Sequence, residues 1–228
     1  MSDLYNSVLF PTPVWDVYEP RFIKPLIKAT NFYVKEAKKR NQKYIKGRDK
    51  HFKVKLQDFG LSNHSTKLYN DPRFEGFIDI VIATSQNFLN AQGFDLSAHK
   101  LKLTELWVQE FGSKGGHHSS HAHWNQQVSG FYFLKCSEKT SYPIFHEPRP
   151  GAEMTKLPLK NQEQITLGSN QIHYKPLPGT MIIFPGYVPH QFAVDAGIEP
   201  FRFIHWNIKV VETAISKERS QKNELQKK

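Results

Sequence analysis

A chain of 228 residues is long enough for one generous domain and short for two independent cores, because domains commonly run to roughly 100–200 residues. Its 39% hydrophobic content, with 17 Phe, 9 Tyr and 4 Trp, offsets the conformational entropy of folding and excludes general disorder. The net charge of +10 is concentrated: ten of the 31 Lys/Arg lie between Lys35 and Lys55, against two acids there, Glu36 and Asp49. The single Cys136 excludes an intramolecular disulfide and a cysteine-built zinc site, which leaves histidine and carboxylate as metal ligands and suits a reducing compartment. No apolar run approaches the roughly 18–20 residues of a membrane span, and the opening MSDLYNSVLFPTPVW lacks the basic and apolar regions of a secretory signal. These features predict a soluble, cytoplasmic protein with no membrane partner.

From Arg21 the apolar residues Phe22, Ile23, Leu26, Ile27, Phe32, Tyr33 and Ala37 recur at helical spacing and predict an amphipathic helix that dissolves into KKRNQK. A second helix is predicted from Asp71, a capping residue followed by Pro72, through Phe74, Phe77, Ile78, Val81, Ile82 and Phe88 to a stop at Gly93. After Leu101 the texture changes to short β-prone runs between Gly, Pro, Asn and Ser clusters. Strands are predicted near 103–111, 128–135, 142–146, 162–167, 171–174, 180–184, 190–194 and 201–210. Without helices between them these strands predict an antiparallel sandwich or jelly roll, buttressed by the N-terminal helices. The organisation expected is one domain over 1–211, with a helical buttress over about 1–100, a β-core over about 101–211 and a polar tail over 212–228.

Four of the 11 histidines, His117, His118, His121 and His123, crowd into SKGGHHSSHAHWNQQ. If the segment entering the Val128 strand is extended, side chains at i and i+2 point the same way, so His121 and His123 form a chelating pair. His190, in PGTMIIFPGYVPHQF, follows a Pro-Gly turn at the start of another strand and supplies a third imidazole, completing one face of an octahedral ion. Neutral imidazole suits Fe(II), Zn, Ni or Cu, whereas Mg or Ca would call for oxygen.

The runs WVQEFGSKGGHHSSHAHWNQQVSGFYFL, IFHEPRP, LPGTMIIFPGYVPHQF and FRFIHWNIKV, with the opening SVLFPTPVW, resemble the 2-oxoglutarate- and Fe(II)-dependent oxygenase family of marine bacteria and their phages, a relative of the prolyl hydroxylases. The resemblance implies a mainly β double-stranded β-helix, that is a jelly roll of cupin-like form, with flanking N-terminal α-helices. It also implies Fe(II), 2-oxoglutarate and dioxygen as cofactors, and a hydroxylase acting on a small molecule or a peptide, such as a prolyl or other amino-acid side chain. The compartment would be the host cytoplasm if the gene is a phage's. Family members usually bind iron through H-x-D/E and a distal His, whereas here the second residue is His123, which leaves Asn125 or water open as the second ligand.

By the same resemblance Arg202, twelve residues after His190, grips the far carboxylate of 2-oxoglutarate and Tyr132 donates a hydrogen bond to it. Trp124, Trp206 and Arg149 are candidate contacts of the pocket or substrate. Two other functions compete: a cupin-type metal protein that works without 2-oxoglutarate, as an isomerase, dioxygenase or binding protein, and a nucleic-acid-binding module in which Tyr44 and Phe52 interleave the cations of the 35–55 region. Composition leaves the oligomeric state open.

Overall fold

The computed structural model describes residues 8–112, 115–193 and 198–213; the predicted tail lies almost wholly outside them. Ten strands and three α-helices are present among these residues: β1 (Trp15–Tyr18), α1 (Ile23–Phe52), β2 (Ser62–His64), α2 (Glu75–Ala91), β3 (His99–Phe111), β4 (His118–His121), β5 (Val128–Lys135), β6 (Ile144–His146), α3 (Pro150–Met154), β7 (Gln171–His173), β8 (Thr180–Pro185), β9 (His190–Phe192) and β10 (Phe201–Glu212). They form two antiparallel sheets, a six-stranded one ordered β1-β8-β5-β10-β3-β2 and a four-stranded one ordered β4-β9-β6-β7. This is the mainly β jelly roll with N-terminal helices that the sequence predicts.

Strand alternation divides the large sheet's residues between two cores. Leu106, Val108, Val128, Ile204, Trp206 and Ile208 point outward and pack with Leu26, Val34, Phe74, Phe77 and Phe88 of the helical layer. Trp107, Phe111, Phe131, Phe133, Phe184 and Phe203 point inward, toward Phe145 and Phe192 of the small sheet. Because both faces of the sheet are covered, β10 is buried from Phe201 to Ile208 without a break. Close approach is built in at Gly130, where an added Cβ would lie 2.2 Å from the Trp206 ring.

Several predicted boundaries move. The first helix does not dissolve at KKRNQK but runs on to Phe52 and ends with Lys53 in the left-handed region, because Lys, Arg and Gln are good helix formers. The cations of the 35–55 region therefore lie largely along one helix, and three of them have partners within the chain: Lys38 binds Glu110, Arg40 donates to the His64 carbonyl and Arg48 pairs with Asp49. Asp71 caps as predicted, accepting from the Arg73 N–H at 3.0 Å, but it opens a 3-10 turn over Pro72–Phe74 that leads into α2. The predicted strand at 162–167 is absent: Ile165 and Leu167 are exposed in a turn-rich segment, since alternation without a neighbouring strand makes no ladder. The short strands β1, β2 and β4 were too brief to register as periodicity, and β1 earns its place only by pairing with β8. Among the described residues no helix is long and apolar enough to cross a membrane.

Candidate metal centre

The antiparallel ladder between β4 and β9 places His121 opposite His190, with ring centroids 4.5 Å apart. His123 follows the end of β4; its N–H donates to the Gly186 carbonyl at 2.8 Å, and its ring stacks on His190 at 5.2 Å and sits 5.1 Å from His121. One nitrogen from each of the three rings lies within 4.8 Å of the other two. The chain thus brings together the three histidines singled out from the sequence, although His190 lies 67 positions after His123.

Their tautomers follow from their partners, because a carbonyl only accepts. The His121 Nδ1–H donates to the Ser119 carbonyl at 2.8 Å and the His190 Nδ1–H to the Val188 carbonyl at 3.0 Å, leaving each Nε2 with its lone pair. His123 is held by Asn207, whose Oδ1 accepts the Ser129 hydroxyl at 2.5 Å and whose Nδ2 donates to Glu105 at 2.7 Å and lies 3.0 Å from His123 Nδ1; a metal on the His123 Nε2 would require the ring proton on Nδ1 and the loss of a hydrogen bond from that amide N–H. The His123 Nε2 is buried and has no hydrogen-bond partner among the described residues. Burial first, then repulsion from His121 and His118, lowers the His123 pKa to about 4. Burial, against the hydrogen bond to Val188 and reinforced by the neighbouring histidines, lowers that of His190 to about 3. Near neutral pH both rings are uncharged bases, the form a transition metal requires, so the residues present fit Fe(II).

The same shifts predict how the metal-free chain responds to acid. Each ring is protonated in the unfolded chain below about pH 6.5 but stays neutral in the fold until about pH 4 or 3, so the unfolded state binds more protons across that window and stability falls with pH. At pH 4.5 the loss is about 2.5 kcal/mol for each ring relative to pH 7.5. Urea unfolding of the chelator-treated protein at the two pH values checks this; equal midpoints would contradict it.

The other predicted site residues are placed differently. Arg202 does not enter the barrel. On β10 the side chains of Phe201, Phe203, His205 and Asn207 face inward, so Arg202 points to the helical layer, where it binds Glu110 at 2.6 Å, Asn31 at 2.8 Å and Thr30 at 3.2 Å. Tyr132 lies on that same outward face, donates to the Glu19 carbonyl at 2.7 Å and packs on Phe77. Trp206 is there too, buried between Phe77 and Gly130. Asn125 is exposed in a turn with a left-handed φ of 58°, and the asparagine that reaches the histidines is Asn207. Trp124 is 91% exposed beside His123. Arg149 forks onto Glu147 at 2.7 and 2.8 Å and lines a cavity of about 230 Å³ with Phe145 and Val188, which adjoin His190.

Glu105 and Asn207 escaped the sequence reading, which takes His205 as a strand residue that packs or supports a ligand. The period of two that paired His121 with His123 also places Phe203, His205 and Asn207 on one face and Arg202 on the other, so the signal was present in FRFIHWN.

Residues 105–200, which hold all three histidines, match the family model described as "Putative 2OG-Fe(II) oxygenase". Over this segment the chain is similar to the 2OG-Fe(II) oxygenase family. That family's description names Fe(II) and 2-oxoglutarate, and the three clustered histidines are a donor set that suits iron. Similar solved structures include a prolyl-4-hydroxylase of Pseudomonas putida (13% identity, 86% of this chain and 92% of that one, TM-score 0.47). An oxidoreductase of the 2OG-Fe(II) oxygenase family from Burkholderia pseudomallei (11%, 61% and 59%, 0.43) is another. A third is a prolyl hydroxylase of Trichoplax adhaerens in complex with a hypoxia-inducible-factor peptide fragment (11%, 66% and 64%, 0.43). The chain spans 59% of the length of the Burkholderia oxygenase. A comparison with curated protein sequences returns no match.

For the oxygenase cofactors the fit is uneven. Iron has three imidazoles waiting, but the predicted anchor of 2-oxoglutarate is committed elsewhere, and among the described residues Arg202 is the one buried basic side chain besides histidines.

Proposed function

We propose that the chain is a 2-oxoglutarate- and Fe(II)-dependent hydroxylase that holds iron through His121, His123 and His190. The observation that carries the reading is the β4–β9 register, which turns two histidines distant in sequence toward one point beside a third. Iron bound there, with 2-oxoglutarate and dioxygen, supplies oxidation of an unactivated C–H bond coupled to release of succinate and CO2. The protein's part is orientation and dryness. The His121 and His190 rings are fixed by their carbonyl partners, and Phe131, Phe145 and Phe184 surround His190 at 5.5, 6.1 and 5.1 Å and exclude water from that side.

Three neutral ligands leave the ion its full charge of +2, whereas a carboxylate in the set would lower it to +1. A dianionic co-substrate is then attracted by the metal itself, which reduces the need for a buried guanidinium. We assign its far carboxylate to Arg149, the guanidinium of the cavity beside His190, in place of Arg202. The substrate is a small molecule or a peptide, with a prolyl or other amino-acid side chain as the hydroxylated group, admitted past the exposed Trp124.

Anaerobic addition of 2-oxoglutarate to the Fe(II)-loaded protein tests the reading. A weak visible charge-transfer band and succinate formation on admitting air are expected; no band at millimolar 2-oxoglutarate would leave a metal protein of another kind. Arg149→Ala is expected to weaken 2-oxoglutarate binding by about tenfold or more, the value of a lost charge-assisted pair, with iron affinity unchanged. An unaltered 2-oxoglutarate titration would remove Arg149 from this role.

A further inference from the structure

Behind the three-histidine cluster lies a second set of donors. Glu105 on β3 and His205 on β10 stand on neighbouring strands, the register setting Glu105 opposite Asn207 and Trp107 opposite His205. With His123 they place one ligand atom each within 4.8 Å of one another. His205 is fully buried, and among the described residues neither of its ring nitrogens has a hydrogen-bond partner, nor does the buried Nε2 of His123. An imidazole taken out of water with both nitrogens unmatched costs free energy that folding alone does not return, and such groups are rare in native proteins. Its ring is nonetheless gripped, 4.5 Å from Trp107, 4.8 Å from His123 and 5.1 Å from Phe131. Asn207 Nδ2 donates to the carboxylate at 2.7 Å and lies 3.0 Å from the Nδ1 of the shared imidazole, so one amide keeps the two side by side.

Two imidazoles and a carboxylate are the donor set that suits non-haem ferrous iron and related divalent ions, and here the carboxylate comes from a strand remote from the H-x-H segment. We propose that Glu105, His123 and His205 form an inner position for a divalent transition metal, which shares His123 with the outer position of His121 and His190. A neutral imidazole has one lone pair, so one ion occupies either position at a time. The outer position leaves the ion at +2 and the inner one lowers it to +1. The inner position thus attracts an anionic co-substrate less and serves to retain metal between turnovers. The competition for His123 rests on the iron site proposed above; metal capture by Glu105 and His205 does not.

Anaerobic titration of the full-length, metal-free chain with Co(II), followed by visible absorption and native mass spectrometry, tests the proposal. The unaltered protein is expected to take one equivalent, and the His121→Ala/His190→Gln variant still one, with a changed spectrum. Adding Glu105→Gln and His205→Gln to that variant is expected to lower its Co(II) affinity by about a hundredfold or more. Circular dichroism confirms folding, and if the His205 change prevents it, Glu105→Gln alone decides. The proposal is overturned if the folded His121→Ala/His190→Gln variant takes no Co(II), if the inner substitutions leave its uptake unchanged, or if the unaltered chain takes two equivalents. Should the inner substitutions remove all uptake while the outer ones change nothing, the inner position stands and the outer iron site falls.

Discussion

His121→Ala and His190→Gln each abolish turnover and lower Fe(II) affinity at the outer position by well over the roughly 10–100-fold that follows from losing a mere supporting hydrogen bond to a ligand. The two differ in what else they disturb. His121 is half-exposed at the end of β4 and rests on a single carbonyl, so its removal leaves the fold intact. His190 is buried inside a ring of phenylalanines, and His190→Ala would open a cavity costing about 2–3 kcal/mol, which is why glutamine is the better probe. Succinate release reads the outcome, together with the visible spectrum of the bound metal, since the inner position can retain an ion when the outer one is lost. Wild-type succinate production by either folded variant would show that the iron lies elsewhere.

Arg202→Ala lowers stability by about 3–5 kcal/mol and leaves the 2-oxoglutarate requirement within twofold of wild type. Arg202 and Glu110 form an ion pair buried between the large sheet and α1, with Lys38 on the second carboxylate oxygen at 2.6 Å. Burial works against the Glu110 carboxylate, but Lys38 and Arg202 outweigh it and hold its pKa below the usual range. Removing the guanidinium leaves a buried carboxylate with half-exposed Lys38 as its main partner, and Asn31 and Thr30 lose a donor. In a chain of this size the loss corresponds to a fall in Tm of about 6–20 °C. Arg202→Met with Glu110→Leu recovers most of it, because an apolar pair of similar volume avoids the desolvation cost. A stable Arg202→Ala protein with a steeply raised 2-oxoglutarate requirement would reverse the assignment of that carboxylate to Arg149.

Arg202 also shows how a motif can be legible while its partner is not. An arginine set among aromatics, a dozen residues beyond the distal histidine, looks costly to bury without an anion, and it does have one: Glu110, from the neighbouring strand. Nothing local in FRFIHWN reveals that partner. The strand's alternation does reveal the face, and following it from Phe203 to His205 and Asn207 would have led inward to the metal centre and outward to Arg202. The basic stretch after Lys35 carries a related lesson: its helix is legible from propensity, but the pairing of Lys38 with Glu110 depends on where α1 crosses the sheet.

The linear order of residues determined the fold class, because period-two runs punctuated by turn residues admit few arrangements other than an antiparallel sandwich, and it determined which imidazoles could converge, because H-x-H on an extended segment is a local matter. Tertiary structure alone decided the rest. Which strands lie side by side settled that His190 faces His121, that Arg202 spends its charge on Glu110, and that Glu105 and His205 meet behind His123. Each of these depends on the pairing of distant strands, and a chain read one window at a time carries no record of its neighbours across the sheet.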